Sequence, residues 1–541
     1  MKEKSGSFLL IIDYVLFVGL IITYLFPIIS NDYFLTQDSP SHLYNSHVLN
    51  SLLLGEGETL SAYYNYDISL SPNLISTAFY STFSFFFSPM LTYKLVHLII
   101  WLLLPISVYY VIRSEHKENG YLAMLSIPFL YTSPFILGFD SFCLGLSFAL
   151  LLFGYWIRKS PLNNYKKIIF FSLLSLLLYF THLLTICFFL LLVGVYTMRR
   201  YIKESGLFNK QSQTSLRKEG IRQLVNLLAF LPVALLIVYY LYSLDATSIE
   251  LNSSNSSFNQ LLKMNDLKLF YSANEGSYSK VLSILIFALI VISLMLKLKN
   301  KDRGIAPIGW VTVLILLLLY LFTPDALAGG SFISSRLGLL FFISAIISLS
   351  GVVFPKGIKY PIIGITLYLS MALYVNKAPY FEKLNAEVTQ IMSLLEKVED
   401  HSTLLHLNYH PGGVDLTNLE LSYGKGLFHH VACFISFQKK DVVILKNYET
   451  NHSYFPISWK PEQSPNLHLT CSAHSMNEVP PCVQIDNFNN NTRSVDYVFL
   501  YKHPEKEHLD KNGHKVFQYL KRHYQLISEK KGGIMRLYKK I

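Results

Sequence analysis

The chain has 541 residues, of which 52% are hydrophobic and 15% charged, and its formal net charge is +11. So little charge with a positive mean hydropathy excludes an ordinary soluble protein of this length. The charge excess is +8 over residues 1–376 (26 basic against 18 acidic) and +3 over 377–541 (20 against 17). In the first part it is concentrated in particular loops, which marks membrane topology rather than a nucleic-acid surface, and no nucleic-acid partner is expected.

Apolar runs of about 20 residues, the length that crosses a bilayer core, recur from residue 8 to about residue 376, while 377–541 reads as soluble sequence. The expected architecture is a polytopic α-helical membrane domain over 1–376, with about 11–12 membrane helices, followed by a small α/β domain over 377–541. The first run, "FLLIIDYVLFVGLIITYLFPIIS", is too long for a signal peptide's apolar region and lacks a small-residue cleavage site, so it reads as a retained first helix.

After it comes a loop, 30–72, with five acids and no Lys or Arg. Short basic loops stay on the cytoplasmic side. Segment 199–223, with seven basic and two acidic residues, and "KLKNKDR" at 297–303 are therefore assigned there, and loops 30–72 and 243–279 to the external face. The N-terminus then lies in the cytoplasm and the C-terminal domain outside. Between residues 73 and 198, five simple spans would place "RKSPLNNYKK" outside against its charge. The favoured alternative makes 73–112 one net crossing with a short inserted piece, and folds 168–198 into a hairpin turning at Thr181-His182.

Within the first loop, "DSPSHL" reads as a helix start, with Asp38 or Ser39 as cap, Pro40 in the first turn and His42 following. Leu43, Val48, Leu49, Leu52 and Leu53 then form an apolar stripe, which predicts a helix lying on the membrane surface. Asp38 and His42 stand one turn apart, a spacing that fits a base and its orienting partner as well as two polar residues of a solvated loop.

His182 lies in the apolar "YFTHLLTICFFLL", where it either bonds a neighbouring helix or serves a site at the hairpin turn. Arg336, in "LFTPDALAGGSFISSRLGLLFF", either snorkels to headgroups or pairs with Asp325, or holds a phosphate, for which a permanently charged, bidentate guanidinium is suited. Asp140 in "GFDSF" reads as a helix cap, and Lys94 with His97 as cytoplasmic-side residues. Tyr63, Tyr64 and Tyr66 read as interface anchors, with an acceptor groove as the alternative.

The layout of these features resembles the bacterial membrane glycosyltransferases of the C superfamily (GT-C), which includes protein O-mannosyltransferases, aminoarabinose transferases and oligosaccharyltransferases. The shared traits are an acidic first external loop with an Asp, a Pro-containing return into the membrane at Pro72-Asn73, the His of "YFTHLL", the Arg after "AGGSFISS", and a small C-terminal domain ending "GGIMRLYKK".

The resemblance implies an enzyme of the bacterial cytoplasmic membrane. It would transfer a sugar from a polyprenyl-phosphate donor to a lipid, glycan or protein acceptor on the external face. Asp38 would be its catalytic base, Arg336 and His182 its donor-phosphate ligands, and His42 an acceptor-binding or base-orienting residue. The first loop lacks the paired-acid DxD or ED motif of the metal-dependent members. No cofactor or metal site is therefore expected, though a divalent metal stays open. Two other readings also stay open: a GT-C-like subunit without catalysis, and a polysaccharide transporter or flippase. Against the latter, the chain has no internal repeat and no intramembrane acid cluster.

In the C-terminal part, Phe381, Leu384, Val388, Ile391, Leu394 and Leu395 recur at helical spacing over 379–400. The runs "TLLHLNY", "DVVILKN", "DYVFLYK" and "IMRLYKK" predict strands, and "GHKVFQYLKRHYQ" a helix. Twelve of the 17 His residues lie here without HxH or HExxH spacing. Cys471 and Cys482 are expected to pair in an oxidising external compartment and Cys433 to stay free; Cys143 and Cys187 read as buried thiols in apolar helices.

Overall fold

The computed structural model describes residues 2–160, 164–204, 213–243, 256–270, 272–299, 308–326, 330–413, 420–422, 426–471, 479–502, 510–530 and 534–541. The middle of the basic segment 199–223 and the end of "KLKNKDR" lie outside the described residues. The chain opens with α1 (Lys2–Ser30), followed by the loop helices α2 (Ser39–Leu54) and α3 (Glu58–Tyr63), then α4 (Leu74–Ser84) and α5 (Pro89–Glu115). A 3-10 stretch, Lys117–Tyr131, leads through α6 (Ser133–Ile136) into α7 (Asp140–Lys159), α8 (Tyr165–Thr181) and α9 (Leu183–Glu204). Then follow α10 (Gln213–Leu227), α11 (Leu231–Ser243), α12 (Phe258–Leu262), α13 (Ala273–Lys299), α14 (Ile308–Phe322), α15 (Ile333–Leu349) and α16 (Lys356–Leu395).

Seven helices among the described residues are long and apolar enough to cross a membrane: Ile11–Ser30, Pro89–Glu115, Asp140–Lys159, Leu183–Ile202, Gly220–Ser243, Asn274–Lys299 and Lys356–Leu395. Gly309–Phe322 and Ile333–Leu349 are shorter apolar helices, and α8 and the 3-10 stretch run beside them. The two ambiguous regions take the favoured form. α4 is a short piece before the long α5, and α8 and α9 are separated at His182, whose backbone leaves the helical region (φ −168, ψ 132).

The helices have two distinct ends. At one, Lys359 bonds Asp13 at 2.8 Å, Arg199 faces Glu115 at 4.0 Å, and Asn119 donates to the Ser350 carbonyl at 2.8 Å. At the other lie the end of α1, all of α2 and the α8–α9 turn. Lys94 belongs to this second end, because its Nζ reaches the Ile29 carbonyl at 3.4 Å, and His97 one turn on packs on Phe34. They therefore lie at the same end as α2 and not at the end opposite to it, where they were expected. Cys143 is buried as expected, but Cys187 is exposed on the outer face of α9.

α2 departs from the predicted surface helix. Twelve of its sixteen residues are buried, polar ones included, between α4 and the 3-10 turn Val431–Phe437. Of the predicted apolar stripe, Leu43, Val48 and Leu49 are buried while Leu53 is exposed, and the polar residues are covered by the C-terminal part. Asn45 and Asn447 exchange two hydrogen bonds at 3.0 and 2.7 Å, and the Tyr44 hydroxyl donates to the Val442 carbonyl at 2.9 Å.

The C-terminal part is built on a five-stranded sheet of β2 (Thr403–Asn408), β3 (Val443–Ile444), β5 (Tyr497–Tyr501), β6 (Tyr524–Lys530) and β7 (Met535–Lys540), in the order β3-β2-β5-β7-β6. β2 runs parallel to β3 and β5, and β7 antiparallel to β5 and β6. A second, two-stranded sheet joins β1 (Tyr64–Tyr66) of the first loop to β4 (Ile457–Trp459). Small helices α17 (Pro465–His468), α18 (Ile485–Asn491) and α19 (Lys511–His523) complete it. Cys471 and Cys482 form the expected disulfide, and Cys433 is a buried free thiol.

α16 joins the two parts. Read as a span and a separate amphipathic helix, it is one helix of 40 residues with Pro361 and Pro379 inside it, about 60 Å long at 1.5 Å per residue. Pro379 and the drop in hydropathy after residue 376 look like a boundary in sequence, yet packing on both sides of Pro379 keeps the helix going. Before it, Lys377 bonds Glu275 of α13 at 3.0 Å and the Tyr131 carbonyl at 2.7 Å. After it, Phe381, Leu384, Val388, Ile391, Leu394 and Leu395 are all buried, and Glu387 receives Lys502 at 3.2 Å and the Tyr501 hydroxyl at 3.1 Å.

Candidate active site

The link from α1 to α2 is held by its backbone. The Gln37 and Asp38 amides donate to the Ile136 and Leu137 carbonyls, both at 3.1 Å, and the Asp38 carbonyl accepts from the Ser41 and His42 amides at 2.9 and 3.1 Å. This close crossing requires Gly138. Its φ of +73° suits glycine, and a Cβ there would lie 2.7 Å from the Ser39 amide nitrogen and 3.0 Å from that of Asp38. Asp38 is the residue before α2, but its carboxylate makes no cap bond. It is free to face a cavity of about 400 Å³ instead, within the usual size range of small-molecule sites.

All four residues singled out in the sequence, Asp38, His42, His182 and Arg336, line this cavity. Asp38 Oδ1 accepts from Gln37 Nε2 at 3.0 Å and lies 3.8 Å from His430 Nε2. His42 places Nδ1 2.9 Å from Glu449 Oε1, and Glu449 is completely buried. Burial pushes the Asp38 carboxyl up to about 7; the His42 charge opposes this, and the nearby Glu449 and Asp140 add to it. Burial works against a charged His42 as well, but the contact with Glu449 outweighs it and lifts the imidazole to about 9. At neutral pH His42 and Glu449 therefore form an ion pair, and Asp38 titrates close to the working pH of a general base.

Arg336 enters from the first turn of α15. Its Nη1 donates to the Ser331 carbonyl at 2.8 Å and its guanidinium stacks over Phe139 at 4.2 Å, with Phe142 at 6.0 Å. Asp325, its possible ion-pair partner in the sequence, instead caps the helix by accepting from the Ser334 amide at 2.9 Å. Arg336 Nε is buried and has no partner among the described residues. His182 stands in the α8–α9 gap with its ring edge-on to Phe142, centroids 5.4 Å apart. The Leu184 amide donates to His182 Nδ1 at 3.1 Å, which assigns the neutral ring's proton to Nε2 and makes that nitrogen a donor.

Several lining residues were not singled out. Asp140, read as a cap, makes no cap bond; it lines the cavity and accepts from the Tyr80 hydroxyl at 2.8 Å. The Gly-x-Asp of "GFDSF" was the available signal, because the Gly allows the close crossing that brings Asp140 to the same wall. His429, His430, Tyr448, His452, Tyr454 and Phe455 come from the C-terminal part, some 400 residues from Asp38, and no local pattern announces them. Tyr63 and Tyr64 are buried away from the cavity, Tyr64 stacking on Trp459 at 4.5 Å, and Tyr66 is exposed, so none of the three lines it. Among the described residues no three of His, Cys, Asp and Glu converge as metal ligands.

Helices long and apolar enough to cross a membrane, a partly helical first loop folded under a small α/β part, and a polar cavity where they meet make up the architecture. No protein-family model and no curated protein matches the chain. Among solved structures it is similar to that of ArnT from Cupriavidus metallidurans in the apo state, with a TM-score of 0.50, 10% identity and 98% of each chain covered. The likeness thus extends over both the helical and the α/β parts, and at this identity it is a likeness of fold.

Proposed function

We propose that the chain is a glycosyltransferase of the bacterial cytoplasmic membrane, moving a sugar from a polyprenyl-phosphate donor to an acceptor on the external face. The observation that carries this reading is the pairing across one cavity of a buried carboxyl titrating near 7, Asp38, with a stacked, incompletely bonded guanidinium, Arg336. The full-length likeness to ArnT supports the class. The charge distribution supports the orientation: the basic residues Arg158, Arg199 and Lys359 lie at the end opposite the cavity, as expected for an N-terminus in the cytoplasm and a cavity on the external face. On this reading the first external loop spans 30–72, and the C-terminal domain, from residue 377, is extracytoplasmic.

Asp38 takes the proton of an acceptor hydroxyl as its oxygen attacks the sugar's anomeric carbon. The bond from that carbon to the phosphate oxygen breaks, and the negative charge left on the carrier phosphate is met by Arg336 and by the Nε2 proton of His182. His42, held charged by Glu449, keeps Asp38 from rising further. The acceptor is a lipid, glycan or protein, and these residues supply the acid–base and phosphate-binding roles without a cofactor.

The test is transfer from a panel of polyprenyl-phosphate sugars to membrane acceptors by the wild-type chain and Asp38→Asn. Loss of about 10²- to 10⁴-fold in the variant, with folding intact, is expected. Equal rates would remove Asp38 from the chemistry, and no transfer from any donor would favour a non-catalytic or transport role.

A further inference from the structure

A second cavity, of about 260 Å³, lies at the opposite end of the helices from the first, between α1, the last turns of α5 and the start of the 3-10 stretch. Arg113, in the last turn of α5, lines it and folds back along its own helix. Its Nη1 donates to the Tyr109 hydroxyl at 2.8 Å, and its guanidinium carbon lies 5.5 Å from the centre of the same ring. Tyr109 in turn stacks on Phe17 of α1, centroids 5.3 Å apart. The guanidinium is thus pinned at the cavity wall by one of its N–H groups, where a snorkelling side chain would extend freely. Asp13, also in the wall, is neutralised by Lys359 at 2.8 Å, which leaves Arg113 and Lys117 against Glu118, a positive excess. Tyr121 lines the cavity too; it is 5% exposed, and its hydroxyl has no partner among the described residues. On the rim, Ile11 and Tyr14 of the first membrane-length helix are more than half exposed. Tyrosines beside Arg and Lys at a helix end mark the headgroup layer of a bilayer.

We infer that this cavity seats one phospholipid by its phosphodiester, held by the free N–H groups of Arg113 and the ammonium of Lys117, with an acyl chain following the exposed rim of α1. A free anion would meet the same cations but have no use for the apolar rim. A lipid without phosphate would cover the rim and leave the guanidinium without a counter-charge. Basic pockets between membrane helices take lipid headgroups for this combination of reasons. Naming the leaflet cytoplasmic rests on the orientation proposed above; the pocket itself does not, and neither does it depend on the transferase reading.

Thermal unfolding of the full-length chain in detergent, freed of lipid, tests this on adding dioctanoyl phosphatidylglycerol, dioctanoyl phosphatidylethanolamine, dioctanoylglycerol or inorganic phosphate. Either phospholipid raises the melting temperature of wild type, and dioctanoylglycerol and inorganic phosphate at the same concentration do not. Arg113→Gln raises the apparent Kd for the phospholipids about tenfold or more. Arg336→Gln, in the other cavity, keeps the wild-type response. Should Arg113→Gln fail to fold, Lys117→Gln, an exposed substitution, is read for the same weakening. The inference falls if no phospholipid stabilises wild type or if the substituted residue leaves the response unchanged. It falls equally if inorganic phosphate alone gives the full shift, which would make this a site for a free ion, or if dioctanoylglycerol matches the phospholipids. Loss of the response in Arg336→Gln instead would place the lipid in the first cavity and overturn it too. Because binding is read without turnover, failure here leaves the Asp38→Asn comparison standing, and the reverse also holds.

Discussion

Nδ1 of His42 and Oε1 of Glu449 lie 2.9 Å apart across 407 positions of sequence, both buried, and this pair ties the first loop to the C-terminal part beside the candidate base. Its contribution has a definite pH window. His42 titrates at about 9 in the fold against about 6.5 unfolded, so its stabilisation is complete below about 6.5 and is lost as pH rises through about 9. Glu449→Gln is expected to be less stable than wild type by about 3 kcal/mol near pH 6, with the gap closing toward pH 9. Unfolding followed across that range checks it, and a gap independent of pH would rule out the ion pair. Because the variant's His42 is neutral at pH 7, its rate profile should also move to higher pH.

Asp38 has the opposite linkage. Burial raises its carboxyl from 3.8 to about 7, so the folded state binds a proton that the unfolded state releases, and stability falls as pH rises from about 4 to about 7. Asp38→Asn removes that penalty. The variant is expected to match wild type at low pH and to exceed it by a few kcal/mol, on the order of 3, above pH 7, while losing transfer activity. A variant less stable than wild type at pH 8 would show that the carboxylate has a structural role. In the wild type, the same titration predicts that activity rises with pH around a midpoint near 7.

Hydropathy and charge carried much of this fold because each crossing must satisfy its own backbone and each basic loop its own side. That logic is local, and it located the break at His182 and four of the five strands of the small sheet, missing β6 (Tyr524–Lys530). Asp38, His42, His182 and Arg336, which line one cavity, took their roles from the resemblance. The burial of α2 was not legible, because its polar face reads as solvent-facing until Asn447 and Val442 arrive from the other end of the chain. Glu449 and His430 were hidden for the same reason: the role of a buried polar group is defined by what surrounds it, and their surroundings are assembled from distant segments. α16 misled in another way, since Pro379 signals a helix break that contacts on either side override.

Gly138 is the hinge of the crossing that places Asp38. Gly138→Ala puts a Cβ against the Ser39 amide at 2.7 Å in a left-handed conformation that costs a non-glycine residue about 1–2 kcal/mol. The expected outcome is a lower melting temperature and a fall in activity larger than the stability loss accounts for, because the displaced segment carries Asp38, the proposed base. Measured at a temperature where the variant is fully folded, unchanged activity would show that the crossing does not set the position of Asp38.

Arg336 provides a test of geometry as distinct from charge. Its guanidinium carbon lies over the Phe139 ring at 4.2 Å, with Nη1 already engaged by Ser331 and Nε without a partner among the described residues. A planar fork held this way can present its remaining N–H groups to a phosphate in a fixed orientation. Lysine retains the charge but has neither the flat stacking face nor the fork. Arg336→Lys is therefore expected to raise KM for the lipid-linked donor about tenfold and to lower kcat as well, because the leaving phosphate gains charge in the transition state. Arg336→Gln should lose more of kcat than Arg336→Lys, with the pH midpoint near 7 retained in Arg336→Lys, which keeps the positive charge that Asp38 feels. A lysine variant with wild-type kinetics would reduce the role of Arg336 to that of a point charge, and a glutamine variant with wild-type kinetics would remove it from donor binding.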